Sequence, residues 1–178
     1  TYFADLASQR RSKEVCLMPS VTFLSPIGPL TITEENGALT ALTFSGGETQ
    51  RPSTPLLKEA VFQLTAYFAG QRQVFELPLS PRGTAFQKQV WDALCRVPYG
   101  QTCSYGQLAH AIGRDRACRA VGMANHRNPL PIFIPCHRCV GADGSLTGYA
   151  GGLAAKKYML QLEGAIHDSA NQPFTEKL

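Results

Sequence analysis

The sequence predicts an α/β fold of the α+β type, in which a small β-sheet subdomain with one helix precedes a helical subdomain that contains a helix-turn-helix. The first eighty residues alternate apolar and polar side chains with a period of two, which is typical of strands. Beyond residue 82, capping patterns and apolar residues at helical spacing follow one another closely. We therefore predict an N-terminal subdomain over 1–82, a C-terminal domain over 83–168 and a tail over 169–178.

Three strands are predicted in the first subdomain, at 21–25, 29–35 and 38–45. They are rich in Thr, Val, Ile and Phe, the residues that fit a pleated, half-buried surface. The dipeptide Asn36-Gly37 separates the last two strands by two residues, which is a strong hairpin signal.

A single helix is predicted after the sheet. Thr54 suits the N-cap, Pro55 suits the first helical position, and Gly70 stands where the chain should leave the helix. A short strand at Phe75–Leu79 is predicted next, and the turn SPRG near Arg82 marks a subdomain boundary.

Two capping-box patterns open helices in the second half. Thr84 is followed three residues later by Gln87, and Ser104 is followed by Gln107 in the same way. The first pattern precedes a helical stripe of apolar residues, and the second opens the segment SYGQLAHAI.

The second of these helices stops at Gly113, and another is predicted from about Asp115 to Asn125. Two short helices joined by a brief turn that contains glycine are typical of a helix-turn-helix. The later helix carries alanines and a glycine around Arg119, so its backbone can approach a partner closely. That composition suits the minor groove of DNA, although packing of one helix on another is the alternative.

Composition excludes several classes of protein. The chain has 178 residues, 44% of them hydrophobic and 17% charged, so it can bury a core, and no apolar run is long enough to span a membrane. The N-terminus has no apolar signal-peptide core. Six scattered cysteines indicate reduced thiols in a cytoplasmic protein rather than a disulfide framework. The net charge of +4 is weak support for a nucleic-acid partner, but five arginines face one acid between residues 110 and 138.

The segment PIFIPCHRCV places two cysteines and a histidine together and leaves three interpretations open. Cys136 and Cys139 form a CxxC pair, but the preceding run 131–134 reads as β-like, and no second ligand pair lies nearby for a metal. Both thiols could simply be buried. In the third interpretation Cys136 is a nucleophile and His137 supplies its base, which requires the backbone to turn after Pro135.

Three stretches of the second half resemble the O6-alkylguanine-DNA alkyltransferases, repair proteins that take an alkyl group from guanine onto their own cysteine. The stretch CRAVGMANHRNPLPIFIPCHR carries the acceptor signature, between GTAFQKQVWDALCRVPYGQTCSYGQLAHAIG and GSLTGYAGGLAAKKYMLQLEG. The likeness is dense over 80–164 and looser before it, through GPLTITEENGALTALTFSGG. It implies a ribonuclease H-like N-terminal subdomain and a winged-helix-like C-terminal one, as in bacterial members.

The resemblance also implies catalytic roles. Cys136 is similar to the alkyl acceptor, His137 to a base that acts through a water, and Glu163 to the carboxylate that holds the imidazole. Asn128 matches an asparagine that pins the turn around the cysteine. Tyr105 matches a tyrosine that crowds the phosphate beside the target nucleotide, helps to rotate it and protonates the leaving guanine. These roles imply no metal and no organic cofactor.

DNA contacts and a base pocket follow from the same resemblance. Arg119 is similar to an arginine finger that replaces the flipped base in the stack. The predicted DNA-binding residues are Tyr105, Gly106, Arg114, Ala117, Arg119, Gly122 and Ala142. The predicted pocket residues are Pro131, Leu146, Thr147, Gly148, Tyr149 and Ala150. Two positions depart from the usual family pattern: Cys139 stands where valine is usual and His126 where glycine is usual.

The function that the resemblance implies is a single-use repair reaction. O6-alkylguanine, and O4-alkylthymine as well, would be repaired in double-stranded DNA bound through the minor groove. We expect a cytoplasmic monomer with no membrane association and no obligate protein partner. Two alternatives remain at this point: a module that binds alkylated bases without repairing them, against which the presence of Cys136 argues, and a thiol-redox protein that uses Cys136 and Cys139.

Overall fold

The computed structural model describes residues 18–167. The tail predicted at 169–178 and the thiol of Cys16 lie outside the described residues. Within the described part, sheet strands come first and helices dominate afterwards, which confirms the predicted α+β class. No helix in this part of the chain is both long and apolar enough to cross a membrane.

The N-terminal sheet consists of three antiparallel strands in the order β1 (Ser20–Ser25), β2 (Gly28–Glu35) and β3 (Ala38–Thr43). The turn between β2 and β3 has positive φ at both central residues, 51° at Asn36 and 76° at Gly37. This is the geometry that a two-residue hairpin matched to the sheet twist requires, so the predicted hairpin is confirmed.

Helix α1 (Pro55–Phe68) packs on β1 and β2 and covers one face of the sheet. The Thr54 hydroxyl accepts a hydrogen bond from the backbone N–H of Leu57, 3.1 Å away, as the N-cap prediction requires. The buried face of α1 includes Leu64 and Tyr67.

The strand predicted at Phe75–Leu79 is wrong. Only Leu79 forms a bridge there, to Leu39, and the backbone bonds beside it run from Leu39 N to Pro78 O and from Ser80 N to Leu39 O, each 2.8 Å. Pro78 has no N–H to donate, so the segment cannot continue a ladder along β3.

Four α-helices form the C-terminal half as far as residue 167: α2 (Ala85–Cys95), α3 (Tyr105–Ala111), α4 (Cys118–His126) and α5 (Gly152–Leu162). Both predicted capping boxes are formed, at the starts of α2 and α3. Because α3 packs on α4 across the turn at Gly113, the predicted helix-turn-helix is confirmed.

Helix α4 begins three residues later than predicted. Asp115 lies in the preceding turn, where its carboxylate contacts His110 Nδ1 at 2.7 Å instead of capping a helix. Ala117 occupies the N-cap without a side-chain hydrogen bond. A short polar side chain committed to another partner therefore shifts the start of this helix.

The chain turns sharply around the predicted nucleophile. The run 131–134, interpreted as β-like, is instead a tight turn in which Ile132 has φ 76° and Ile134 N donates to Leu130 O at 2.9 Å. A 3-10 helical turn (Cys136–Arg138) follows, as the nucleophile interpretation required. It leads into β5 (Cys139–Val140), which pairs in parallel with the equally short β4 (Cys103–Ser104).

The N-terminal sheet and the C-terminal helices meet close to this turn. Leu42 N in β3 donates to Pro129 O at 2.8 Å, so the open edge of the sheet is bonded to the segment before the turn. The rings of Phe75 and Phe133 pack edge to face with centroids 5.1 Å apart. The turn that carries Cys136 is thus supported from both halves of the chain.

Candidate active site

Cys136 opens the 3-10 turn and is only 4% exposed. Burial raises the pKa of its thiol to about 11, although the Asn128 amide and the Lys156 ammonium oppose that rise. At neutral pH the thiol is therefore protonated at rest, and a nucleophilic role requires a base to remove its proton.

Asn128 holds the backbone around the thiol. Its side-chain N–H donates to Ile134 O at 2.9 Å, and its side-chain oxygen accepts from Leu130 N at 3.0 Å. The side chain thereby bridges the two ends of the tight turn at 131–134. The catalytic role that the resemblance implied for Asn128 stays a prediction.

His137 is fully buried, and its Nε2 lies 2.7 Å from Glu163 Oε1. Since the carboxylate can only accept, Nε2 carries the hydrogen and Nδ1 is left as an acceptor. Nδ1 has no hydrogen-bond partner within residues 18–167. Burial lowers the pKa of His137, and the pull of Glu163 in the opposite direction does not restore it. The imidazole is therefore neutral at neutral pH and able to accept a proton.

Glu163, the C-cap of α5, gathers donors from three other parts of the chain. Arg138 donates from Nε to Oε2 at 2.9 Å and from Nη2 to Oε1 at 3.1 Å, while the Tyr67 hydroxyl donates to Oε1 at 2.7 Å. Gly100 N adds a 3.3 Å bond to Oε2. Burial by itself would raise the pKa of Glu163, but the bonds from His137 and Arg138 outweigh it and hold the pKa at about 2.

Gly100 reaches this carboxylate only because it has no side chain. Its φ is +78°, and a Cβ there would lie 2.9 Å from the Glu163 carbonyl oxygen. A glycine therefore provides both the positive φ and the close approach of the backbone.

Three residues of the site were missed by sequence reasoning. Arg138 lies within the acceptor signature itself, and Lys156, fully buried, interrupts the apolar face of α5 between Ala155 and Met159. Lys156 Nζ donates to Cys139 O and, at 3.1 Å, to Thr147 O, which ties the loop after β5 to the active turn. A lysine on a buried helical face was a usable signal, whereas nothing in the sequence around Tyr67 indicated its contact with Glu163.

Tyr105, the first residue of α3, reaches across to the loop after β5. Its hydroxyl lies 2.7 Å from the Thr147 hydroxyl, and burial raises its pKa, so it retains its proton. The ring lies against α4 at Gly122, where a Cβ would stand 3.8 Å from two ring carbons. Part of the small-residue face of α4 thus serves intramolecular packing, the alternative weighed for it above.

A narrow cleft opens beside Cys136, with a volume of about 10 Å³, the space of a single water. Four of the predicted pocket residues line it together with the thiol, while Leu146 and Thr147 lie just outside. The lining residues are Asn125, His126, Asn128, Pro131, Cys136, Gly148, Tyr149 and Ala150.

The predicted DNA-binding residues lie on or beside the helix-turn-helix, apart from Ala142 in the loop after β5. Gly106, Arg114, Arg119 and Ala142 are exposed, and Tyr105, Ala117 and Gly122 are half-buried. Asp115, the one acid between residues 110 and 138, is held by His110 at 2.7 Å. The arginines of this surface therefore outnumber its single acid, whose carboxylate contacts His110.

The CxxC interpretation requires Cys139 to act together with Cys136, but the structure pairs Cys139 with a different cysteine. Cys139 is paired across the β4–β5 ladder with Cys103, and the two thiols interact with each other. All five cysteines in the described residues are free thiols. The described residues contain no group of three or more His, Cys, Asp and Glu side chains that could hold a metal ion.

Comparison with known proteins matches both halves of the chain. Residues 85–165 match the family model described as 6-O-methylguanine DNA methyltransferase, DNA binding domain, and residues 21–81 match its ribonuclease-like domain. A methylated-DNA–protein-cysteine methyltransferase of Methanosarcina barkeri is 49% identical over 147 residues, which is 78% of this chain and 92% of that protein. The constitutive enzyme of that name in Bacillus subtilis is 47% identical over 150 residues, 78% of this chain and 91% of that protein.

A solved structure shares the fold as well. The crystal structure of Mycobacterium tuberculosis OGT in complex with DNA superimposes with a TM-score of 0.76 and 46% sequence identity. The match covers 82% of this chain and 92% of that one.

Proposed function

The chain belongs to the 6-O-methylguanine DNA methyltransferase family, and on that premise we propose that Cys136 is the residue to which it transfers an alkyl group from DNA. It is a methylated-DNA–protein-cysteine methyltransferase, and it repairs DNA by alkyl transfer. The observation that supports Cys136 as the acceptor is the buried pair formed by Glu163 and His137, the residue that follows Cys136, with Nε2 and Oε1 2.7 Å apart. A neutral imidazole with a free acceptor nitrogen is the base that a protonated thiol needs.

The reaction is a displacement at carbon. As the Cys136 thiol attacks, its proton passes through a water to His137 Nδ1, and the new S–C bond forms while the C–O6 bond of the alkylated guanine breaks. The electron pair of that bond leaves with the guanine, which takes a proton from Tyr105. Glu163 stabilises the imidazolium that results, as a carboxylate beside a histidine does in other nucleophilic sites. The thioether product is not reversed by thiol exchange, so each molecule acts once.

Entry of the target base requires both the DNA and the protein to rearrange. The alkylated oxygen lies inside the duplex, so the nucleotide must be extruded before a thiol can reach it. The cleft beside Cys136 holds about 10 Å³, far less than a guanine needs, so the loop at 146–150 must swing away from it. We propose that Arg119, exposed on α4, fills the gap left in the stack, and that Tyr105 crowds the neighbouring phosphate.

DNA is the partner of this protein, and residues 85–165 match a DNA-binding domain. We propose that the DNA is double-stranded and that the helix-turn-helix is the surface that binds it. We further propose approach through the minor groove, which the exposed Ala120 and the half-buried Gly122 of α4 favour, and action as a monomer on O4-alkylthymine as well. A cytoplasmic location fits the DNA substrate and the free thiols. We keep the division into 1–82, 83–168 and a tail at 169–178 as a proposal.

Mass spectrometry of the protein after reaction with duplex DNA that carries O6-methylguanine tests the acceptor. We expect a stable gain of one methyl group, mapped to the peptide with Cys136, and no gain in Cys136→Ala. Cys139→Ala is the matched control, because it removes the neighbouring thiol and should still be methylated. DNA binding by Cys136→Ala should persist. Methyl found on Cys139 or Cys103 would refute the assignment.

A further inference from the structure

Tyr67, in the N-terminal half of the chain, contacts the proposed proton relay of the C-terminal half, which consists of Cys136, His137 and Glu163. We infer that this hydroxyl sets how strongly Glu163 holds the proton of His137, which makes Tyr67 a positioning residue for alkyl transfer. The inference rests on the proposed role of Cys136, His137 and Glu163.

The contact is direct and fully buried. Tyr67 lies in the last turn of α1, is 0% exposed, and donates to Glu163 Oε1 at 2.7 Å. The same oxygen accepts His137 Nε2 at 2.7 Å. With Arg138 Nη2 at 3.1 Å, three donors thus compete for one carboxylate oxygen, and the bond to the Tyr67 hydroxyl weakens the bond to His137.

Aromatic packing keeps the hydroxyl in place. The Tyr67 ring meets Phe68, Phe75 and Tyr99 with centroid separations of 5.3, 5.3 and 6.3 Å. Burial raises the pKa of Tyr67 far above its usual value, and the neighbouring carboxylate adds to that rise. The hydroxyl therefore acts as a donor at every pH at which the protein works.

Removing this hydroxyl would alter the charge on Glu163 more than its position. Arg138 grips both carboxylate oxygens, at 2.9 and 3.1 Å, and Gly100 N adds a third anchor. The carboxylate should keep its orientation without the tyrosine, while each remaining donor, His137 included, binds it more strongly.

The groups around the relay come from five parts of the chain, and all must be counted in its response to pH. They are Tyr67 on α1, Tyr99 and Gly100 before β4, Cys136 and Arg138 in the 3-10 turn, Tyr149 in the loop after β5, and Lys156 and Glu163 at α5. Arg138 and Lys156 disfavour a charged imidazole, and Glu163 alone among them favours it. A change in the charge on Glu163 therefore changes the pKa of His137, and none of the other groups named here offsets that change.

The sign of the effect follows from the state of His137 that reacts. Neutral His137 accepts the thiol proton, so the rate of alkylation falls as pH falls through the pKa of the imidazole. Without the Tyr67 hydroxyl, Glu163 stabilises the imidazolium more strongly and that pKa rises. The acid limb of the pH–rate profile should then move to higher pH in Tyr67→Phe, by about 0.5 to 1 pH unit.

The experiment measures alkylation by free O6-benzylguanine from pH 4.5 to 9 in the full chain, since the free base needs no extrusion from DNA. Tyr158→Phe is the matched control: its ring packs on Phe68 within the same aromatic cluster, with centroids 6.4 Å apart, but within residues 18–167 its hydroxyl is not one of the donors to Glu163, so its acid limb should not move. Adding Tyr67→Phe to Glu163→Gln should leave the profile of Glu163→Gln unchanged, because the charge that transmits the effect is gone.

Three outcomes would overturn the inference: a Tyr67→Phe profile that superimposes on wild type, one that falls by the same factor at every pH, or a shift that persists in the Glu163→Gln background. If Tyr67→Phe does not fold, 3-fluorotyrosine at position 67 replaces it. Fluorine makes the phenol a stronger donor, so the acid limb should move to lower pH, and an unmoved limb refutes the inference. A wild type that takes no methyl group on Cys136 from duplex DNA carrying O6-methylguanine would instead refute the proposed function.

Discussion

The hydroxyl groups of Tyr105 and Thr147 lie 2.7 Å apart, joining the first helix of the helix-turn-helix to the loop that closes over Cys136. If this loop moves to admit a base, either the hydrogen bond between Tyr105 and Thr147 breaks or the Tyr105 side chain moves with the loop. The bond thus connects a residue proposed to touch DNA with a wall of the cleft. It suggests that contact with the DNA backbone and opening of the cleft occur together.

Tyr105→Phe should slow alkyl transfer by at least about 100-fold, the usual contribution of a general acid, because the leaving guanine loses its proton donor. Both free O6-benzylguanine and methylated duplex DNA should react more slowly. Single-turnover rates measure this, with DNA affinity taken separately by fluorescence anisotropy. Thr147→Val is the control, since it removes the partner of the hydroxyl and leaves the donor. Equal loss in both variants would assign Tyr105 to holding the loop rather than to proton transfer.

Arg119→Ala should slow repair of duplex DNA much more than reaction with the free base. Extrusion of a nucleotide costs a few kcal/mol, and the free base does not incur that cost. Arg116→Ala makes a suitable control, because Arg116 is exposed on the same surface but precedes α4. At saturating DNA, Arg116→Ala should retain the wild-type rate. An equal reduction of both reactions in Arg119→Ala would contradict the finger role.

Glu163 should make the protein acid-sensitive in a defined window. Its pKa of about 2 lies below the usual glutamate value of 4.5, so its bonds contribute stability that is complete above pH 4.5 and lost as pH falls through 2. The difference corresponds to about 3 kcal/mol. Urea unfolding at pH 6, 4 and 3 should show this loss in wild type and a flatter dependence in Glu163→Gln. Parallel pH dependences in the two proteins would contradict the assignment.

Phe44 supports the wall of the cleft and should limit the size of the alkyl group. Its ring meets Tyr149 edge to face at 5.5 Å and leaves no room for a Cβ at Gly151, where one would lie 2.6 Å away. Phe44→Ala should therefore raise the rate with O6-benzylguanine relative to O6-methylguanine by several-fold. Phe62→Ala, at an exposed position of α1, should leave that ratio unchanged. A constant ratio in Phe44→Ala would show that other residues set the size limit.

Local signals in the sequence predicted most of the elements correctly. Asn36-Gly37 and the two capping boxes act within three residues, so their geometry is encoded where they stand. The strand at Phe75–Leu79 was mispredicted because its composition suits a strand while Pro78 and the lack of a continuous partner do not.

The centre of the candidate active site could be predicted from the sequence only in part. Cys136 and His137 are adjacent and carry the family signature, but Tyr67 and Glu163 are separated by 96 residues. Periodicity along the chain carries no information on a contact of that range. Only the packing of α1 against the end of α5 brings the two side chains together, and that packing is a property of the whole core.

The high pKa of Cys136 protects the thiol of a protein that can react only once from side reactions. With a pKa of about 11, only about one thiol in ten thousand is ionised at pH 7, against roughly 3% for an ordinary cysteine. Peroxides and soft electrophiles attack accessible thiolates, so they would meet the exposed Cys118 first. The Cys136 thiol is thereby protected from peroxides and other electrophiles before repair. It loses its proton only when a base and an alkylated guanine are both in the site.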